Sequence, residues 1–167
     1  VVPVQVIIGA TVYDDHDATP EMVAHALKEW TPVSTSRPNP STFLEAYGQA
    51  AEAGATEVLS IHLSAELSGT YDSAKLAARE ASEKGIKVTV LDTKQCAFAL
   101  GYAVVAAARV IEKGGSVRKA ANAAKRTAEG TQSIFYVDTL EYLRRGGRVT
   151  TVAAFLGGAL AVKPLLR

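Results

Sequence analysis

Between Thr56 and Val137, short apolar runs alternate with helical stretches. Thr56 to Ile61 reads as a strand, and the residues after Thr70 as a helix ending near Gly85. Lys87 to Leu91 reads as a strand closed by Asp92-Thr93, and Ala97 to Ile111 as a buried, alanine-rich helix ended by Gly114-Gly115. Ser116 then caps a helix to about Glu129. Ser133 to Val137 is a further strand, and its continuous run Ile134-Phe135-Tyr136-Val137 suits burial on both faces. This alternation predicts an α/β fold: a doubly wound, mostly parallel sheet with helices on both faces.

In open parallel sheets, ligands bind in the crevice at the carboxyl ends of the strands. The stretch Leu63-Ser64-Ala65-Glu66-Leu67-Ser68-Gly69-Thr70-Tyr71 is expected at that edge, between a strand and a helix. A helix start offers free N–H groups and partial positive charge, which suits an anion. Gly69 lets the backbone approach closely, and the Ser68 and Thr70 hydroxyls flank it. The structural alternative is a Ser or Thr N-cap with Gly in a turn. His62, at the end of the strand, is placed to line the site or to polarise a ligand.

The chain has 167 residues, enough for one domain with a real core. With 48% hydrophobic and 21% charged residues it reads as globular. A formal net charge of +1 carries no polyanion footprint, so no nucleic-acid partner is expected. The single cysteine, Cys96, excludes an internal disulfide and zinc sites built on paired cysteines, and fits a reducing compartment. The first residues lack the charged n-region of a signal peptide, and the apolar run between Cys96 and Arg109 is too short to span a bilayer. A cytoplasmic location without membrane insertion is therefore expected. There is no Met at position 1, and the chain stops just after Leu165-Leu166. Both ends read as truncated, so a longer protein is expected.

At the amino end, Val2 to Ile8 and Thr11 to Tyr13 are strand candidates around Gly9-Ala10. Asp14-Asp15-His16-Asp17 has too few oxygen ligands at set spacing for a hard cation and reads as a solvated acidic turn, so no metal is expected. Thr19-Pro20-Glu21 starts a helix running to about Trp30, with Met22, Val23, Ala26, Leu27 and Trp30 on one face. Val33 to Ser41 reads as irregular, with Pro38 and Pro40 fixing the backbone. Its hydroxyls suit an anion, while Asn39 and Pro40 suit the start of a helix that stops at Gly54. Further on, Asp138-Thr139-Leu140-Glu141 has the form of a capping box. The short helix after it ends at Gly146-Gly147, where Arg144, Arg145 and Arg148 either complement the helix terminus or form an anion or partner site. Val152 to Val162 reads as an apolar helix, and Lys163-Pro164 opens a final strand.

Four segments in register resemble the DegV family of bacterial fatty-acid-binding proteins, which includes the FakB subunits of fatty acid kinase. Thr35-Ser36-Arg37-Pro38-Asn39-Pro40 resembles its Thr-Ser-x-Pro-x-Pro loop. Ser64 to Ala74 resembles its Ser-Ser-x-Leu-Ser-Gly-Thr-Tyr-x-Ser-Ala motif. Tyr136 to Arg148 is similar to its most specific run, and Val162-Lys163-Pro164 to its Ile-Lys-Pro. Arg37 departs from the family's frequent Gln, and Ala65 from a second Ser. Family members usually carry an extra strand before Val1 and most of a second α/β domain after Arg167, so a complete pocket is not expected from this chain alone.

The resemblance implies that Thr35 and Ser68 hydrogen-bond a fatty acid carboxylate, with Gly69 and Thr70 shaping the same loop and Ser36 beside it. It implies that Arg144, Arg145 and Arg148 serve the head group and docking to a kinase partner. The chain would bind a long-chain fatty acid and present it to an ATP-dependent kinase subunit that makes acyl phosphate for phospholipid synthesis. No cofactor and no catalytic residue of its own are implied, and the sequence has no Walker A motif. The alternative is a serine hydrolase or acyltransferase using Ser68 as nucleophile and His62 as base, which lacks an acid placed to orient the histidine.

Overall fold

A computed structural model describes residues 1–148 and Leu165–Leu166. The helix expected from Val152 to Val162 and the Lys163-Pro164 step lie outside the described residues. β1 (Gln5–Ile8) and β2 (Thr11–Asp14) form the antiparallel hairpin expected around Gly9-Ala10. α1 (Pro20–Lys28) begins as its sequence predicts, with the Thr19 hydroxyl accepting from the Met22 amide and proline in the first turn. Trp30 does not extend its apolar face. It adopts a left-handed φ of 58°, which breaks the helix, and is 74% exposed.

The segment from Val33 to Ser41 is not all irregular. β3 (Val33–Ser36) pairs antiparallel with the free edge of β1, placing Thr35 opposite Val6. Three hydroxyl residues in four give no apolar alternation, and the order comes from backbone pairing to a strand far earlier in the chain. α2 (Pro40–Glu52) follows, with Asn39 in the cap position but making no side-chain cap bond.

The central layer is β4 (Glu57–His62) paired in parallel with β5 (Lys87–Asp92), Glu57 opposite Lys87 and His62 opposite Asp92. The strand period of two sorts their side chains to opposite faces. Val58, Val88 and Val90 pack with Phe43 and Tyr47 of α2 and with Ala74, Ala77 and Ala81 of α3 (Thr70–Glu83). Leu59, Ile61 and Leu91 pack on the other side against α4 (Ala97–Glu112) and α5 (Val117–Glu129). Helices thus cover both faces of a parallel pair, the α/β arrangement expected. The other ladders among the described residues are antiparallel: β2-β1-β3, and β6 (Phe135–Tyr136) with β7 (Leu165–Leu166).

α4 and α5 meet on alanine, with Ala103 and Ala107 in one cluster with Ala120, Ala124 and Ala128. Their connection is tight enough that a Cβ on Gly115 would lie 2.7 Å from the Val110 carbonyl oxygen. The large side chains of α4 point elsewhere: Phe98 is 83% and Tyr102 60% exposed, so this helix is buried along its alanine stripe rather than all round. Ile134, Phe135 and Tyr136 are likewise exposed rather than covered on both faces. An apolar run reports the character of a segment, not the number of layers packed on it. α6 (Glu141–Arg145) starts without the expected capping box. The Glu141 amide donates to the Thr139 hydroxyl, and the Glu141 carboxylate turns forward onto Arg144 and Arg145. No described helix is long and apolar enough to cross a membrane.

Candidate functional site

β4 ends at His62 and α3 begins at Thr70, so the connecting loop lies at the carboxyl edge of the parallel pair. Backbone bonds fix it. The Ser64 amide donates to the Gln95 carbonyl at 2.8 Å, and the Ala65 amide donates to Asp92 Oδ1 at 3.3 Å. At the far end Ser68 Oγ and Thr70 Oγ1 lie 2.6 Å apart, and Ser68 Oγ accepts from the Thr70 amide at 3.3 Å. Gly69 occupies the N-cap position of α3 and has no side chain to cap the helix. Ser68 satisfies one first-turn amide, and the two hydroxyls stand over the positive end of a 14-residue helix.

The amino-terminal sheet delivers a cation to this point. β3 carries Thr35, exposed, and Ser36, half-buried, and the next residue, Arg37, lies across Gly69. A Cβ built on Gly69 would run into the Arg37 guanidinium and stand 2.9 Å from its Cδ. The segments carrying Thr35-Ser36 and Ser68-Gly69-Thr70 are therefore brought together, with Arg37 between them. Arg148 approaches from the other side, its Nε donating to the Leu67 carbonyl at 3.3 Å. Leu67 and Arg148 also line a cavity of about 970 Å³, whose wall includes Ser64, Phe135, Val137 and Leu143. Its lining is mixed, with Glu66, Lys94, Glu129 and Gln132 beside the apolar side chains, and its volume is within the range of small-molecule sites.

His62, the last residue of β4, is 6% exposed. Its ring meets Phe43 of α2 edge-on at 5.4 Å and Tyr71 of α3 at 6.3 Å. Burial lowers its pKa to about 4, against the opposing pull of Asp92. Its Nε2 lies 2.7 Å from Ser60 Oγ, while the Ser68 hydroxyl is engaged by Thr70. No hydrogen bond joins Ser68 to His62 among the described residues, so the nucleophile–base pairing of the hydrolase alternative is not formed.

The three arginines separate. Arg148 reaches the Ser64–Thr70 loop, whereas Arg144 and Arg145 both clamp Glu141, with Arg145 Nε 2.8 Å from Glu141 Oε1. These hydrogen bonds hold the Glu141 carboxyl below its usual pKa. Arg145 also stacks on Trp30, its guanidinium carbon 4.7 Å from the ring centroid. On the β2–α1 turn, ligand atoms of Asp14, His16 and Asp17 fall within 4.8 Å of one another, with His16 and Asp17 exposed and facing each other at 3.7 Å. Sequence reasoning passed over Arg37, Tyr47 and Ser60. The departure of Arg37 from the family's usual residue was the signal for the first; Tyr47 and Ser60 look like ordinary core and strand residues until the fold joins them.

The DegV family profile matches residues 1–167. A DegV domain-containing protein of Streptomyces coelicolor is 50% identical over 167 residues, 99% of this chain and 58% of that protein. The solved structure described as fatty acid binding of a DegV family protein from Thermus thermophilus superposes with a TM-score of 0.86 at 36% identity, covering 99% of this chain and 58% of that one. DegV of Bacillus subtilis, described as a fatty acid binding protein, gives 0.83 at 28% identity with the same coverage. The chain thus spans little more than half the length of these relatives. With the profile matching from end to end and the strand–loop–helix site built on the motifs that suggested it, the chain belongs to the DegV family.

Proposed function

We propose that this chain binds a long-chain fatty acid, with its carboxylate at the Thr35-Ser36 and Ser68-Gly69-Thr70 hydroxyls above the start of α3. The observation that carries this reading is the Ser68–Thr70 hydroxyl pair on the helix terminus, with Arg37 laid over Gly69. A carboxylate that leaves water needs such donors and such charge, because burial without them is costly. Arg148, beside Leu67, supplies a second cation on the cavity side. Each methylene buried in an apolar channel contributes about 0.8 kcal/mol, so a long acyl chain supplies most of the affinity. The fatty acid binding described for the Thermus thermophilus and Bacillus subtilis relatives supports the ligand class.

The chain has no Walker A motif, which supports leaving the phosphoryl chemistry to a partner. Its role is that of a carrier in the cytoplasm, presenting the head group to an ATP-dependent kinase subunit that forms acyl phosphate for phospholipid synthesis. Arg144 and Arg145, held on α6 beside Trp30, are the docking residues in this reading. Titration calorimetry of the full-length protein with palmitate tests the binding. Saturable one-to-one binding is expected, weakened about a hundredfold or more in Thr35→Ala with Ser68→Ala, since bonds to a charged group are worth about 1.5–3 kcal/mol each. Palmitate affinity unchanged in the double variant would overturn the site, and absence of binding would overturn the ligand.

A further inference from the structure

A second loop at the same sheet edge holds the hydroxyl site in place. Ser64, 5% exposed, is the hub of the Ser64–Thr70 loop. Its carbonyl accepts from the Leu67 and Ser68 amides at 3.0 and 3.1 Å, and its hydroxyl from the Glu66 amide at 3.3 Å. Its own amide is held from outside the loop, by the Gln95 carbonyl at 2.8 Å. Hydrogen bonds thus run from Gln95 to Ser64, from Ser64 to Ser68, and from the Ser68 hydroxyl to the Thr70 amide.

Gln95 is itself fixed from two sides. Its side-chain nitrogen donates to the Ala128 and Thr131 carbonyls, at and just past the end of α5, both at 3.1 Å. A side-chain amide nitrogen has two protons and serves both. Its backbone amide donates to Thr93 Oγ1 at 3.3 Å, and that hydroxyl donates to the His62 carbonyl at the end of β4 at 2.8 Å. Asp92 adds a parallel tie: its Oδ1 accepts from the Ala65 amide of the site loop at 3.3 Å and from the Lys94 amide at 2.8 Å. The β5–α4 connection holds this arrangement against its own backbone preference. Lys94 and Ala97, on either side of Gln95-Cys96, have left-handed φ values of 56° and 49°. Residues other than glycine keep such conformations where surrounding bonds over-determine them, and they cluster at functional sites.

We infer that Gln95 is a positioning residue of the head-group site, holding Ser68 through Ser64, and that Asp92 backs it through Ala65. The inference rests on the fatty-acid reading above and deepens it. Gln95 acts through its bonds to the protein, not through contact with the carboxylate. The Ser68 hydroxyl is thereby set relative to the end of α5 as well as to its own loop.

The test is a double-mutant cycle, read by titration calorimetry of the full-length protein with palmitate. Gln95→Met keeps the side chain's length and removes its two donated bonds. It is expected to weaken palmitate about tenfold, the value of one bond to a charged group. In a chain that already carries Ser68→Ala, it is expected to add less than about twofold. A merely structural role would add the same loss in both backgrounds. Asp92→Ala is expected to weaken palmitate, and Asp92→Asn, which keeps an acceptor oxygen, to restore it; an Asp92→Asn as weak as Asp92→Ala overturns the part given to Asp92. Palmitate bound equally by the parent and Gln95→Met, or losses that add in full, overturns the inference and leaves the fatty-acid reading standing. No palmitate binding by the unaltered protein overturns both. Amide hydrogen exchange of the unaltered protein decides the matter if the variants do not fold. Saturating palmitate should slow the Ser64 and Ala65 amides together, and unchanged exchange at both overturns the inference.

Discussion

Arg37 lies over Gly69 where a Cβ would otherwise project, and the roles of the two residues can be separated. Gly69 has a φ of −70°, which any residue tolerates, so Gly69→Ala strains no backbone. The added methyl would displace Arg37, whose flexible side chain can swing into solvent. The expected outcome is a melting temperature within a few degrees of the parent with palmitate affinity down about tenfold, read by scanning calorimetry and titration calorimetry. His62 gives a second residue-scale prediction. Its pKa is about 4 in the folded chain and 6.5 ordinarily, so between those values the unfolded state binds the proton that the folded state refuses. Its contribution is complete above pH 6.5 and is lost as the pH falls toward 4, levelling off below. A loss of about 2–3 kcal/mol is expected. Urea unfolding from pH 7 to pH 4 checks it, and His62→Gln should flatten the slope.

At the scale of elements, the α4–α5 seam is built from side chains too small to move aside. Ala103 and Ala120 are fully buried, so Ala103→Leu must push the helices apart. A loss of about 1–3 kcal/mol is expected in denaturant unfolding, because overpacking a tightly packed seam forces side chains off their rotamers and shifts the backbone. Ser116, whose hydroxyl accepts from the Lys119 amide, is a milder case: Ser116→Ala should cost about 1 kcal/mol. Elements like these were legible in the sequence because their signals are local. The Ser116 cap, the Thr19-Pro20 start and the Gly54 and Gly85 stops all act within a turn of chain. β3 was not legible, since a strand of Val-Ser-Thr-Ser owes its existence to the edge of β1. Nor was the exposure of Phe98 and Tyr102, because burial depends on what packs over a segment.

For the whole molecule, the sandwich of α2 and α3, the β4–β5 pair, and α4 and α5 fixes where the site can be. Alternation along the sequence specified that layering, and with it the edge where the Ser68 loop and His62 lie. Their partners were not specified: Arg37 arrives from a separate sheet, and the Tyr47–Ser60 bond joins residues 13 apart on different elements. Contacts of this kind exist only once the layers assemble. Because the proposed ligand binds that assembled arrangement and not the unfolded chain, palmitate at a hundred times its dissociation constant should add about 2.7 kcal/mol to stability. A concentration-dependent rise in melting temperature would report it, and a flat response would contradict it.

The pairing of Trp30 with Arg145 has a practical consequence. Trp30 is the chain's one tryptophan, and it sits on the surface under a guanidinium held by Glu141. Excited at wavelengths where tyrosine does not absorb, the fluorescence of this chain therefore reports the Trp30–Arg145 contact. Any molecule that draws Arg145 away changes the quenching and hydration of a single indole, so docking at the arginine face can be followed without a label.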